Sequence, residues 1–138
     1  VTLDEYQEEV RRTLQRDPES YPEHARFLAG SALLAPVRQT YDTMVHAMGL
    51  AGEAGEIIDL LKKHLGHGQP LDIEKAKKEL GDVLWYVGAL AADLGLSLSE
   101  VAEANKAKLR ARYPAGFTVA AAEARADEGL PLEGNVNE

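Results

Sequence analysis

Two long segments with helical spacing of apolar residues are separated by one short turn, and this juxtaposition constrains the fold most. The first runs from about Val37 to Leu65, with apolar residues at Met44, Val45, Met48, Leu50, Ile57, Ile58, Leu60 and Leu61. The second runs from Ile73 to about Leu94, with Asp72 as its N-cap and Gly95 as its stop. Only Gly66-His-Gly-Gln-Pro70 and Leu71 lie between the first segment and that cap. A connection this short makes the two helices antiparallel neighbours. No alternation of apolar and polar residues persists long enough to make a sheet. The fold class is therefore all-α.

Other helices are expected around this hairpin. Thr2 and Glu5 stand in capping-box register. A helix from Leu3 to about Gln15 would place Leu3, Tyr6, Val10 and Leu14 on one stripe. Asp17-Pro18-Glu19-Ser20-Tyr21-Pro22 breaks it. Phe27, Leu28, Leu33 and Leu34 suggest a short helix ending near Pro36. Ser97 and Glu100 form a second capping box, opening a helix that runs to about Arg112 and stops before Pro114. Residues 1–117 are expected to form one domain. Residues 118–138 read as a weakly structured acidic tail with one or two helical turns.

Composition sets limits on function. The 138 residues carry a formal net charge of −8. That balance argues against binding duplex nucleic acid, which needs a basic face. It leaves room for a nucleotide site, because a divalent ion reverses the local sign. There is no Cys, so disulfides, thiol nucleophiles and thiolate metal sites are excluded. The first residues lack the basic flank and apolar core of a signal peptide. No apolar run approaches the roughly 20 residues of a membrane span. A cytoplasmic protein is the expectation.

The central helix also carries Gly49, Gly52 and Gly55. Each internal glycine costs about 1 kcal/mol relative to alanine. Their spacing suggests a face that another backbone or a ligand approaches closely, or plain helix–helix packing.

Chemistry concentrates in two acidic pairs, Glu53-Ala-Gly-Glu56 and Glu79-Leu-Gly-Asp82. Residues three apart lie on neighbouring spokes of a helix face. Counted back from the turn, Glu56 and Glu53 stand at about 13 and 18 Å, and Glu79 and Asp82 at about 10 and 15 Å. The pairs fall opposite each other, Glu56 near Glu79 and Glu53 near Asp82. Unit charges about 4 Å apart repel by roughly 4 kcal/mol at an effective dielectric of 20. Such a group needs protonation, neighbouring cations from Lys62, Lys63, Lys75 or Lys78, or a metal ion. Oxygen-only ligands suit Mg²⁺ or Mn²⁺. Further on, Asn105, Lys108 and Arg112 share one helix face, with Lys106 and Arg110 off it. That face is either a solvated basic helix end or a phosphate clamp.

These residues resemble the signature of the MazG-like all-α nucleoside triphosphate pyrophosphohydrolases. The resemblance rests on Glu53-x-x-Glu56 followed after residues 57–78 by Glu79-x-x-Asp82. It rests also on Gly49-Leu-Ala-Gly-Glu-Ala-Gly-Glu56, Lys78-Glu-Leu-Gly-Asp-Val-Leu-Trp-Tyr86, and Asn105 through Phe117. The opening Thr2-Leu-Asp-Glu-Tyr-Gln7 is similar too, so the likeness spans residues 2–117. It implies a bundle of four to five helices that forms a homodimer or homotetramer. It implies Mg²⁺-dependent cleavage between the α- and β-phosphates, releasing pyrophosphate in a nucleotide-pool house-cleaning role. Glu53, Glu56, Glu79 and Asp82 would ligate the metal. Asn105, Lys108 and Arg112 would hold phosphates or ribose, with Tyr113 lining the site. Many members carry two adjacent acids where this chain has Gly52 and Glu53, so the general base falls to Glu53 or Glu56.

The base pocket is less defined. Trp85 or Tyr86 either stacks on the base or fills the core. His46, Gln7, Tyr41 and Gln39 are candidates for hydrogen bonds to the base edge. Analogy with dimeric dUTPases suggests dUTP or dCTP. His64 and His67 read as helix-end and loop residues. A di-iron centre would need Glu-x-x-His pairs, which are missing. The remaining rival is a non-catalytic helical interaction module with an acidic face.

Overall fold

The structure, a computed structural model, describes residues 1–14, 17, 19, 21–31 and 34–125. Its elements are α1 (Leu3–Thr13), a 3-10 turn (Glu23–Ala25), α2 (Arg26–Gly30), α3 (Ala35–His67), α4 (Ile73–Asp93), α5 (Leu98–Arg112) and α6 (Val119–Ala124). No strand occurs among the described residues, so the fold is all-α. The expected end of the first helix at Gln15, the apolar position Leu33 and residues 126–138 of the acidic tail lie outside the described residues. The chain divides into two compact units, Val1–Leu96 and Ser97–Glu138.

In the first unit, α3 and α4 form the antiparallel hairpin. α3 has 33 residues, about 50 Å at 1.5 Å per residue. It ends where Gly68 takes a left-handed conformation (φ 66°), which glycine adopts without a Cβ clash. The backbone N–H of Gln69 then closes onto the Lys63 carbonyl, and His64 Nδ1 lies 2.7 Å from the Gln69 carbonyl. Asp72 caps α4 by accepting from the Lys75 N–H. Near the other end of the hairpin, Gln39 Nε2 donates to the Asp93 carbonyl at 2.7 Å.

Pro36 does not end a helix. It sits in the first turn of α3, where its missing N–H would have no intrahelical partner. The preceding helical segment is split into the 3-10 turn and α2, which stops at Gly30.

α1 lies on α4. A Cβ at Gly88 would stand 3.0 Å from Val10 Cγ2, so the missing side chain lets Val10 sit against the α4 backbone. Gln7 is buried and donates to the Leu96 carbonyl at 2.9 Å. The Trp85 indole N–H donates to Thr13 Oγ1 at 2.8 Å. Tyr21 and Ala25 form a small buried cluster with Tyr41 of α3 packed against it.

The glycine stripe divides by role. A Cβ on Gly49 would lie 2.1 Å from Tyr86 Cε1, so an aromatic ring, not a backbone, occupies that approach. At Gly52 and Gly55 an added Cβ would meet nothing within 4 Å.

In the second unit, Ser97 and Glu100 complete the capping box of α5. Thr118 caps α6 by accepting from the Ala121 N–H.

Candidate metal centre

Glu53 projects from α3, and Glu79 and Asp82 from α4. One carboxylate oxygen of each lies within 4.8 Å of the others. The cause is the hairpin itself. The axial positions of Glu53 and Asp82 match across the turn, and Glu79 stands one helical turn from Asp82 on the same face. Glu53 and Glu79 are half-buried and Asp82 is exposed, so the group opens to solvent on one side.

Glu56 is not in that group. It is exposed, one turn further along α3 and rotated off the line of Glu53. Its charge acts on Lys63, whose ammonium is pushed above its ordinary range chiefly by Asp59 and to a lesser degree by Glu56.

The lysines do little to neutralise the cluster. Lys62 and Lys63 both pair with Asp59, at 2.6 and 2.5 Å, and hold its carboxyl down at about 2. Lys75 reaches Glu79 only at 3.9 Å. A hard, oxygen-only set of three carboxylates is the donor chemistry that Mg²⁺ and Mn²⁺ prefer. The residues therefore fit the divalent ion that the sequence suggests.

Tyr6 of α1 is a neighbour that sequence reasoning did not single out. Its hydroxyl donates to the Gly81 carbonyl at 3.4 Å. Burial, and then the Asp82 charge, push its phenol above the ordinary range. The only sequence signal was its place on the apolar stripe of α1, which gives no hint of this contact.

The aromatic candidates pack together. Trp85 and Tyr86 meet edge to face at 4.9 Å between ring centroids, and His46 lies 5.8 Å from Trp85. Trp85 thus ties α1, through Thr13, to the hairpin.

In the second unit, α5 carries Asn105, Lys108, Arg112 and, at its end, Tyr113. Asn105 and Tyr113 line an open concavity of about 480 Å³ together with Lys106, Leu109 and Arg110. Lys108 and Arg112 are not among its lining residues. Asn105, Leu109 and Tyr113 recur every fourth residue and form a spine. Lys106 and Arg110 flank this spine on one side, Lys108 and Arg112 on the other. Lys106 also pairs with Glu103 at 2.8 Å. The Tyr113 ring rests 5.5 Å from that of Phe117.

Among the described residues, no single helix is long and apolar enough to cross a membrane.

The chain is 42% identical over 73 residues to the "Gene 37 protein" of Mycobacterium phage L5, a match covering 50% of this chain and 64% of that protein's length. No solved structure matches significantly. The MazG nucleotide pyrophosphohydrolase domain matches residues 39–117, a span that takes in both acidic pairs and all of α5. The chain belongs to the MazG nucleotide pyrophosphohydrolase family.

Proposed function

We propose that the protein hydrolyses a nucleoside triphosphate to the monophosphate and pyrophosphate with the help of Mg²⁺, or Mn²⁺ in its place. The observation that carries this reading is the convergence of Glu53, Glu79 and Asp82 within 4.8 Å. In this reading those three side chains hold the cation. When bound, the ion supplies Lewis acidity to the phosphates and acidifies a nearby water. Water adds to the α-phosphorus, the bond to the bridging oxygen of the β-phosphate breaks, and pyrophosphate leaves. Glu56, exposed beside the cluster, is assigned the proton of the attacking water, with Glu53 as the alternative acceptor. The family resemblance assigns phosphate binding to Asn105, Lys108, Arg112 and Tyr113, which α5 carries in its own unit. Trp85, a stacking candidate, ties α1 to the hairpin through Thr13.

The test is a panel of canonical and modified triphosphates, including dUTP and dCTP, incubated with Mg²⁺. Pyrophosphate is expected from at least one, and a chelator is expected to stop its release. Orthophosphate as the product would reject the cleavage position. No turnover on any triphosphate, with no thermal shift by Mg²⁺, would favour an interaction module.

The reading includes a homodimer or homotetramer. Met44, Met48, Ala51, Gly55, Ile58 and Leu65 lie on one stripe of α3 at alternating steps of four and three, with one step skipped at Lys62. Met48 and Ile58 are 64% and 66% exposed. Apolar residues at this period favour pairing with another helix, and small residues at Ala51 and Gly55 permit close approach. Ile58→Glu is expected to reduce the mass seen by light scattering to that of a single chain. An unchanged mass would count against this face.

A further inference from the structure

Of the four side chains considered for the base edge, the structure separates two from the others. Gln7 and Gln39 donate to backbone carbonyls, of Leu96 and Asp93 respectively. His46 and Tyr41 instead line one cavity of about 130 Å³, together with Tyr21, Pro22, Asp42 and Val45. A cavity of roughly 150 Å³ accommodates benzene, so the space is on the scale of one six-membered ring. Its walls are two tyrosine rings, a proline and a valine, which suit the faces of a planar ring.

The charged group of the cavity, Asp42, is an acceptor. Asp42 takes the Tyr21 hydroxyl at 3.1 and 2.9 Å. A carboxylate has about four lone-pair sites, so it retains capacity for a ligand. His46 Nδ1 lies 2.7 Å from the Asp93 carboxylate. With Nδ1 engaged by that carboxylate, Nε2 is the ring nitrogen left for a ligand, and it accepts whenever the ring is neutral. Asp42 and His46 are four apart on α3 and are therefore neighbours on one face. An exocyclic amino group offers two hydrogens to two such acceptors. Uracil offers one N–H set between two carbonyl oxygens, which would face the carboxylate unfavourably.

The position also suits a nucleotide. His46 precedes Glu53 by two turns on the same face of α3, about 10 Å along the axis. That is the scale of the separation between a base and its phosphates.

We propose that this cavity is the base pocket, and that it selects cytosine over uracil through Asp42 and His46. The link to the phosphates rests on the proposed reaction, whereas ring binding can be tested apart from it. The experiment is calorimetric titration of dCMP and dUMP into the full chain, with and without Mg²⁺. dCMP is expected to bind about tenfold more tightly or better, the size of one good base-edge contact. Asp42→Asn, which offers an N–H donor in place of an acceptor, is expected to erase or reverse that ratio. Val45→Phe fills the cavity but keeps the Tyr21–Asp42 bond, and it is expected to remove binding of both. Circular dichroism would confirm that each variant is folded.

Equal affinity for the two monophosphates, or a dCMP preference that survives Val45→Phe in a folded protein, would overturn the proposal. Selective dCMP binding without pyrophosphate release from any triphosphate would uphold the pocket and reject the reaction. Pyrophosphate release with no preference between dCTP and dUTP would do the reverse.

Discussion

Glu79→Ala is expected to lower pyrophosphate release by about a thousandfold, at the upper end of what losing one well-placed electrostatic group costs. Mg²⁺ takes few protein ligands and relies on each. Glu79 is one of only three carboxylates in the cluster, and its side chain is 14% exposed, too enclosed for solvent or a distant group to replace it easily. The fold should survive. The side chain leaves only a long contact to Lys75, and exposed or partly exposed pairs contribute about 1 kcal/mol or less. Alanine is also the better helix former. Removing one of three mutually repelling charges helps the metal-free protein further. In chelator, the variant is therefore expected to melt no lower than the parent chain. The parent should gain stability as Mg²⁺ is added, about 2.7 kcal/mol at a hundred times the dissociation constant, and the variant should gain far less. Turnover within a few-fold of the parent would remove Glu79 from the site.

The largest expected effect on stability comes from Gly49→Ala. An added Cβ would stand 2.1, 2.3 and 2.7 Å from three atoms of the Tyr86 ring. The ring has little room to yield, because it packs edge to face on Trp85 and near His46. Overpacking of this kind costs about 1–3 kcal/mol, against a gain of about 1 kcal/mol from helix propensity. With Tyr86 held by those rings, a net loss of up to about 2 kcal/mol is expected in urea denaturation. The same substitution in a Tyr86→Ala background meets no ring, so it should be neutral or stabilising. The double-mutant cycle should therefore show strong coupling between the two positions. Additive effects would mean that the ring does not lie over Gly49.

The hairpin was legible because its determinants are local. The apolar period of α3 and α4, the Asp72 cap and the short turn after His67 act within a few residues of each other. The capping boxes at Thr2 and Ser97 were legible for the same reason. Three of the four acids came together because helical rise fixes their height along each axis. Glu56 illustrates what height leaves undetermined: rotation about the helix axis depends on how the two helices face each other. The glycines show the same limit. Gly49, Gly52 and Gly55 are alike in sequence, yet of the three only Gly49 has a side chain, that of Tyr86, lying over it. Pro36 was misread as a stop because a proline ends one helix and begins another with the same local preference. On α5, Lys106 and Arg110 stand off the face of Lys108 and Arg112, as helical spacing requires, and it is they that line the concavity with Asn105. Asp42 gave no signal at all, since its role depends on Tyr21, which is remote in sequence.

Diffraction from crystals soaked in Mn²⁺, recorded with anomalous scattering from the metal, would address the carboxylate cluster most directly. The expected result is a strong peak bounded by oxygens of Glu53, Glu79 and Asp82, with metal–oxygen distances of about 2.1–2.2 Å. A peak elsewhere with none at these three side chains, or no bound ion at millimolar Mn²⁺, would contradict a shared divalent cation there.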